Sequence, residues 1–449
     1  MRYANYKATD QSWVPEIPDH WDYWRAKRVF NSPKEKNEGN KEKNILSLTL
    51  RGVIHNSKDN PIGLSPADYA TYQIFEPNDL VFKLIDLENI STSRVGIVPE
   101  RGIMSSAYIR FSARTDANIE YFYYQYHDWW LRHIFNGLGA GVRQTLSAPD
   151  LLNLKLAVPP REEQDQIVRY LDWQISRINK LIHGYQREIK LLEERRITLI
   201  DTAVTQGIRS NREMQTLNTS WLDSIPADWK MIPSKTLFSE GKERKRLEDK
   251  PATASQKYGI ILQEDYMQKE GKRIVIATQG LDDWKHVEPD DFVISLRSFQ
   301  GGIEHSIISG CVTWHYIVLI PQESVVPQYF RWLLKSKSYI KALQGTSEFI
   351  RDGQDLRYSN FVKVDLPLIP VDEQIEIATY LEQETKKIDN AIPAIKKEIE
   401  LLREYRTRLV SDVVTGQMDV RGIEIPNYEP EEDIEETEEP DEEVNEDAK

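Results

Sequence analysis

The strongest constraint on this chain is that much of its sequence occurs twice. Residues 160–207 align without a gap on residues 370–417, with identities that include Pro160/Pro370, Glu163/Glu373, Gln164/Gln374, Tyr170/Tyr380, Leu171/Leu381, Ile189/Ile399, Leu192/Leu402 and Thr205/Thr415. Upstream the echo continues, pairing Trp13, Ile17, Pro18, Trp21, Lys27 and Phe30 with Trp221, Ile225, Pro226, Trp229, Lys235 and Phe238. Self-similarity over such spans marks a duplicated structural unit. The chain therefore reads as two tandem halves, each a globular block followed by a helical block. Its 449 residues, 40% of them hydrophobic, suffice for two ordinary cores.

The helical blocks declare themselves by spacing. Ile167, Leu171, Ile175, Ile178, Ile182, Tyr185, Ile189 and Leu192 recur by threes and fours with charged residues between. Ile377, Leu381, Ile388, Ile392, Ile395, Ile399, Leu402, Leu409 and Val413 repeat that seam in the second half. Such a seam predicts a coiled coil, and its partner is already present in the chain. Gly184 and Pro393 fall near corresponding positions, and a proline removes a helical hydrogen bond, so each helix is expected to be bent or divided there.

The globular blocks, roughly 14–159 and 222–369, alternate short β-rich stretches with Gly, Pro and Asn. Strands are expected at Asp79–Leu84, Asp291–Leu296 and within Ile307–Ile320, and aromatic-rich helices at Ile119–Phe135 and Pro327–Leu343. The fold class is α+β: two mixed α/β blocks in tandem, joined by two long helices that form an antiparallel intramolecular coiled coil. The expected borders are 1–160, 161–212, 213–370 and 371–423, with an acidic tail over 424–449.

Net charge is −14, but the excess lies mainly in residues 424–449, where Lys449 is the only basic residue, so the body is close to neutral. That tail has few large apolar residues and is expected to be disordered and solubilising. Within the balanced body, Lys242, Arg244, Lys245 and Arg246 form a basic cluster that either faces phosphates or is simply solvated. One cysteine, Cys311, excludes a disulfide framework and any multi-cysteine metal site, and fits a reducing compartment. With no leader and no long apolar run, a soluble cytoplasmic protein is expected.

No catalytic constellation stands out. Phosphate-loop and amino-methyltransferase motifs do not occur. A nuclease-like Pro149-Asp150 followed by Glu188-Ile189-Lys190 can be extracted, but the triplet falls on solvated positions of the helical seam. His127 and His133 fit an aromatic helix better than a metal site. A binding constellation remains. Gly137, Gly139 and Gly141 precede Arg143 and Gln144, and a loop from Gly345 ends in the same way with Arg351 and Gln354. Arg grips guanine bidentately, Gln can do so with adenine, and glycine lets backbone approach a phosphate. Arg94 and Arg297 complete the candidate DNA-contacting set.

These residues resemble a known family. Tyr6-Lys7 through Trp13-Val14-Pro15-Glu16-Ile17-Pro18-Asp19-His20-Trp21 looks like the opening of a target-recognition domain of type I restriction-modification specificity subunits. Val158-Pro159-Pro160-Arg161-Glu162-Glu163-Gln164 and Ile369-Pro370-Val371-Asp372-Glu373-Gln374 resemble the exits from such domains into that family's conserved helical regions. Val204-Thr205-Gln206-Gly207-Ile208 and Val414-Thr415-Gly416-Gln417-Met418 resemble the ends of those regions. The acidic tail departs from the pattern.

The resemblance implies a non-catalytic subunit that reads a bipartite, asymmetric DNA site, one half per block, and directs adenine methylation and restriction by its partners. It implies association with two copies of a DNA methyltransferase (modification) subunit and with a restriction/translocase subunit. S-adenosylmethionine, ATP and Mg belong to those partners, and no cofactor is expected in this chain. The repeated positions Glu163, Gln164, Leu171, Ile189, Leu192, Glu373, Gln374, Leu381, Ile399 and Leu402 are the candidate partner-binding residues. The alternatives are a coiled-coil scaffold for protein partners, or the specificity module of another DNA methyltransferase system.

Overall fold

The structure, a computed structural model, describes residues 2–58, 66, 68–85, 87, 93–138, 145–217, 219, 221–271, 281–296, 298–346 and 356–431. The chain divides into two compact units, and they do not follow the sequential borders expected from the repeat. The first unit combines the chain up to Gln186 with residues from Lys396 onward, whereas the second runs from Arg187 to Ile395. Each of the two long helices, Arg161–Gln206 and Val371–Val414, is thereby shared between the units.

Within the first unit a four-stranded antiparallel sheet has the order Phe30–Asn31, Ile109–Ala113, Leu80–Phe82, Val95–Ile97. Two-stranded ribbons pair Gln73–Phe75 with Gly102–Met104, and Leu46–Thr49 with Gly52–His55. At its base, Asp22–Arg25 pairs with Lys155–Val158, the strand leading into the long helix. The second unit has the same order in its own residues. Its four-stranded sheet runs Phe238–Gly241, Ile317–Pro321, Phe292–Ile294, Glu304–His305. Lys285–Val287 pairs with Gly310–Val312, Ala252–Ser255 with Gly259–Leu262, and Lys230–Ile232 with Leu366–Leu368.

The inner strands Leu80–Phe82 and Phe292–Ile294 are apolar on every residue and buried throughout, as expected where both faces are covered. Rings fill the first unit's core in edge-to-face contacts, with Phe82 centred 5.0 Å from Phe111 and 4.9 Å from Tyr126. In the second unit Phe238 meets Phe292, Phe330 and Phe361 at 5.3–5.8 Å.

Three expectations need correction. The long helices are continuous through Gly184 and Pro393; the latter lies inside the helix, so a missing backbone donor there does not divide it. The expected helix over Ile119–Phe135 is two, Ile119–Leu131 and Ile134–Leu138. His133 between them adopts a left-handed φ of 55°, which ends the first helix. Likewise Pro327–Leu343 is broken into Pro327–Leu333 and Lys337–Gln344, with Ser336 capping the second.

The acidic tail does not begin as a free segment. Gln166 Nε2 donates to the carbonyls of Val420 and Ile423 at 3.0 and 2.8 Å, Asn179 Nδ2 donates to Glu431 O at 3.1 Å, and Glu431 N donates to Ser176 Oγ at 2.8 Å. His183 Nδ1 lies 2.7 Å from Glu431 Oε1. Residues 420–431 therefore lie on the first long helix, held by its polar side chains. The remainder of the tail, 432–449, is outside the described residues.

Candidate nucleic-acid interface

Each globular block is tied to helix ends by one buried carboxylate. In the first unit Glu163, in the opening turn of the long helix, accepts hydrogen bonds from Tyr3 Oη, from Trp21 Nε1 at 3.0 Å and from His20 Nε2 at 2.9 Å. In the second, Glu373 accepts from both terminal nitrogens of Arg212, one at 2.8 Å, and from Trp229 Nε1 at 3.1 Å. The adjacent amides act alike. Gln164 accepts from Asn118 N at 3.0 Å and donates to Pro159 O at 2.8 Å; Gln374 accepts from Val326 N and donates to Ile369 O, both at 2.8 Å. Tyr121 and Tyr329 extend the match by donating to the carbonyls of Val414 and Val204, at the last turn of the helix that closes each unit.

Gly416 and Gly207 follow those turns at φ of 74° and 77°, a conformation that suits glycine. A Cβ on Gly416 would overlap Pro18, and one on Gly207 would crowd Arg212 and Glu373 at 3.0–3.1 Å. Arg421 stands five residues after Gly416, as Arg212 does after Gly207, and stacks 4.8 Å over the Tyr3 ring.

This clasp of hydrogen bonds holds Glu163, Gln164, Glu373 and Gln374, candidate partner-binding residues, each within its own unit. All four are buried and hydrogen-bonded within their own unit. Leu171, Leu381 and Ile399 are likewise buried, while Ile189, Leu192 and Leu402 are partly exposed on the helices.

Within each unit, hydrogen bonds tie together described residues that flank other segments. In the first unit Leu146 N donates to Leu84 O at 3.0 Å, and Asn136 Nδ2 to Leu87 O at 3.2 Å, so the segments flanking residues 88–92 and 139–144 are bound to each other. In the second, Gln344 Nε2 donates to Phe299 O at 2.6 Å and Asn360 Nδ2 to Thr346 O at 3.1 Å, tying the flanks of residues 297 and 347–355. Arg143, Gln144, Arg297, Arg351 and Gln354 lie outside the described residues.

Arg94 is described, and it is 2% exposed. Its Nη1 lies 3.4 Å from Lys83 O and 3.3 Å from Ile85 O. A guanidinium placed there donates to two backbone carbonyls just past the strand Leu80–Phe82. The basic cluster is also neutralised: Arg246 pairs with Glu243 and Glu288, Arg244 with Asp283 at 3.4 Å, Lys245 with Asp282 at 3.8 Å and Lys242 with Glu240 at 3.9 Å. Asp150 of the nuclease-like motif closes a helix cap with Ser147. His127 packs between the rings of Tyr123 and Trp130. Among the described residues no group of three or more potential ligands could hold a metal ion, and no helix is long and apolar enough to cross a membrane.

Sequence reasoning missed one charged cluster. His286 Nδ1 lies 2.8 Å from Asp249 and Nε2 2.8 Å from Glu288, and with both nitrogens facing carboxylates both carry protons. Burial opposes that charge, but the bonds to Asp249 and Glu288 outweigh it and raise the imidazole above its ordinary pKa. Asp291, nearby, is pushed up to about 6 by burial. The same ribbon position in the first unit is apolar, with Ile74 opposite Ile103 and packed on Ile45, where the second has His286 opposite Cys311. The offset changes within this region, 212 residues from Ile74 to His286 but 208 from Ile103 to Cys311, so a single-offset alignment of the halves does not expose the swap of isoleucine for histidine.

Two divergent blocks are thus anchored alike, and the chain is similar to known proteins. Residues 18–191 match the family model described as "Type I restriction modification DNA specificity domain". The chain is 23% identical to the putative type I restriction enzyme MjaX specificity subunit of Methanocaldococcus jannaschii, over 93% of this chain and 97% of that one. A second relative from that organism, the type I restriction enzyme MjaVIII specificity subunit, is 22% identical over 60% of this chain and 64% of its own. Among solved structures, the fold matches the HsdS subunit from Thermoanaerobacter tengcongensis with TM-score 0.53 and 15% identity, over 90% of this chain and 98% of that one. It also matches, with TM-score 0.64 and 14% identity over 90% and 99%, a chain from a study of complex assembly and conformational transition of the type I restriction-modification system. Residues 18–191 thus resemble a type I specificity domain, and over most of its length the chain is similar to specificity subunits of type I restriction-modification systems.

Proposed function

We propose that the chain reads a bipartite, asymmetric duplex sequence, one half with each globular block, and directs adenine methylation by two modification subunits and cleavage by a restriction/translocase subunit. In this reading it supplies recognition and no chemistry of its own; S-adenosylmethionine, ATP and Mg act in the partners. The observation that carries the reading is the pairing of an equivalent clasp with unlike loops. Glu163 and Glu373 anchor their blocks in the same way, whereas the glycine-led segments 137–144 and 345–354 differ in length and composition. A shared frame carrying different readers suits two unlike half-sites. Arg143, Gln144, Arg297, Arg351 and Gln354 are the base- or phosphate-contacting candidates.

The long helices are assigned to an antiparallel coiled coil that spaces the readers. Bonds from Arg406 to Asn179 at 2.9 Å and from Arg196 to Asp389 at 2.8 Å support that pairing, since the residue number falls on one helix as it rises on the other. Exchanging residues 14–159 for the corresponding block of another specificity subunit tests the reading. With the modification subunits present, the methylated sequence should change in one half only; a change in both halves, or in neither, refutes independent reading.

A further inference from the structure

Between strands Gly310–Val312 and Ile317–Pro321 the second unit makes a tight turn, closed by a bond from Tyr316 N to Thr313 O at 3.0 Å. On it Trp314 is 54% exposed and stacks on His315, with ring centroids 3.4 Å apart and planes 28° apart. The first unit builds the same turn, closed by Tyr108 N to Ser105 O at 3.1 Å, with Ser106 and Ala107 where the second has Trp314 and His315. The backbone therefore has no need of the aromatic pair. An indole left half in water contributes little to the core, yet its neighbour holds its face flat and limits its rotamers.

Position argues for what the pair meets. In the sheet Ile294 pairs with Ile317, so continuing the register sets the turn beside Leu296, the residue before the DNA-contact candidate Arg297. Lys285 anchors the turn by donating to Tyr316 O at 2.6 Å, putting a cation at the base of a projecting aromatic. A planar apolar group above a positive charge fits the major groove, where thymine offers a methyl between negatively charged backbones.

We propose that Trp314, braced by His315, is a specificity-determining residue of the second block that packs against the C5-methyl of a thymine in its half-site. The assignment rests on the reading that this block contacts DNA. The test uses the full chain assembled with its modification subunits and a duplex carrying the methylated site, with binding followed by fluorescence anisotropy. Replacing each thymine of the second half-site by uracil in turn removes one methyl. At one position this should weaken wild-type binding about fourfold, the equivalent of one buried methyl group. Trp314→Ala should bind more weakly than wild type and be indifferent to that same replacement, while Trp314→Phe should retain most of both effects. Every uracil duplex binding the wild type as tightly as the parent, or Trp314→Ala keeping the full methyl dependence, overturns the assignment. Block exchange separates the levels: if exchanging residues 222–369 alters neither half-site, DNA reading by this block falls, whereas a working exchange without methyl coupling removes Trp314 alone.

Discussion

Replacing Arg212 by alanine isolates the worth of the clasp. The guanidinium gives two bonds to Glu373, whose side chain is fully buried, and two to Asp228, which is 57% exposed, one of them at 3.0 Å. The exposed pair contributes about 1 kcal/mol at most. Losing the bonds to Glu373 costs more: without Arg212 its carboxylate keeps only the Trp229 indole N–H, and stranding a buried charge costs about 3–5 kcal/mol. For a unit of this size that corresponds to a fall in Tm of about 6–20 °C. Calorimetry gives the magnitude, and hydrogen exchange gives the location, with lost protection confined to peptides from residues 187–395. The double variant Arg212→Ala with Glu373→Gln should recover most of the loss, because a neutral amide can be buried with fewer bonds. A loss below about 1 kcal/mol, or no recovery in the double variant, would falsify the claim that a buried charge holds the second block to its helices.

The His286 cluster predicts a pH response. Because its folded pKa is raised above 6.5, its contribution is complete below that value and is lost as pH rises through the higher folded one, so Tm should fall on the alkaline side of neutrality. Asp291, raised to about 6, acts in the same sense at lower pH, and His286→Leu should flatten the alkaline limb; an unchanged profile in that variant sinks the assignment. Gly416→Ala should destabilise the first unit by about 1–3 kcal/mol, from positive φ and the clash with Pro18, and Gly207→Ala should cost less since its nearest neighbours are side-chain ends; equal costs in thermal unfolding would contradict the packing. Truncation after Gly422 should raise hydrogen exchange over residues 173–183 while leaving the methylated sequence intact, whereas truncation after Glu431 should change neither; protection surviving the longer truncation would mean the tail does not cover the helix.

Much of the frame was legible because duplication and periodicity are local patterns. Leu80–Phe82 and Phe292–Ile294 fall inside the expected strands, and the helical seams run where Ile167 and Ile377 begin them. The roles of charged residues were less legible. Glu163 and Glu373 look like solvated residues in a first helical turn, and only the fold brings Trp21 or Arg212, distant in sequence, onto them. The carbonyl partners of Arg94 were likewise not visible in the sequence. Lys242 to Arg246 form a cationic patch only while Asp282, Asp283 and Glu288 are counted as separate residues.

The first unit draws on both ends of the described chain: Tyr6 Oη donates to Gly416 O at 2.8 Å and Gln417 Nε2 to Glu16 O at 3.3 Å. The second is continuous from Arg187 to Ile395. On the ribosome the second unit is thus fully synthesised before residue 396 emerges, and at 5–20 residues per second the first block waits roughly 10–40 s for its closing helix. Until then Gln166, Ser176 and Asn179 lack the segment that binds them, and Tyr121 lacks the Val414 carbonyl. A chain terminated just before residue 396 would hold every described residue of the second unit and lack part of the first. The part of the protein made first is the last to be completed.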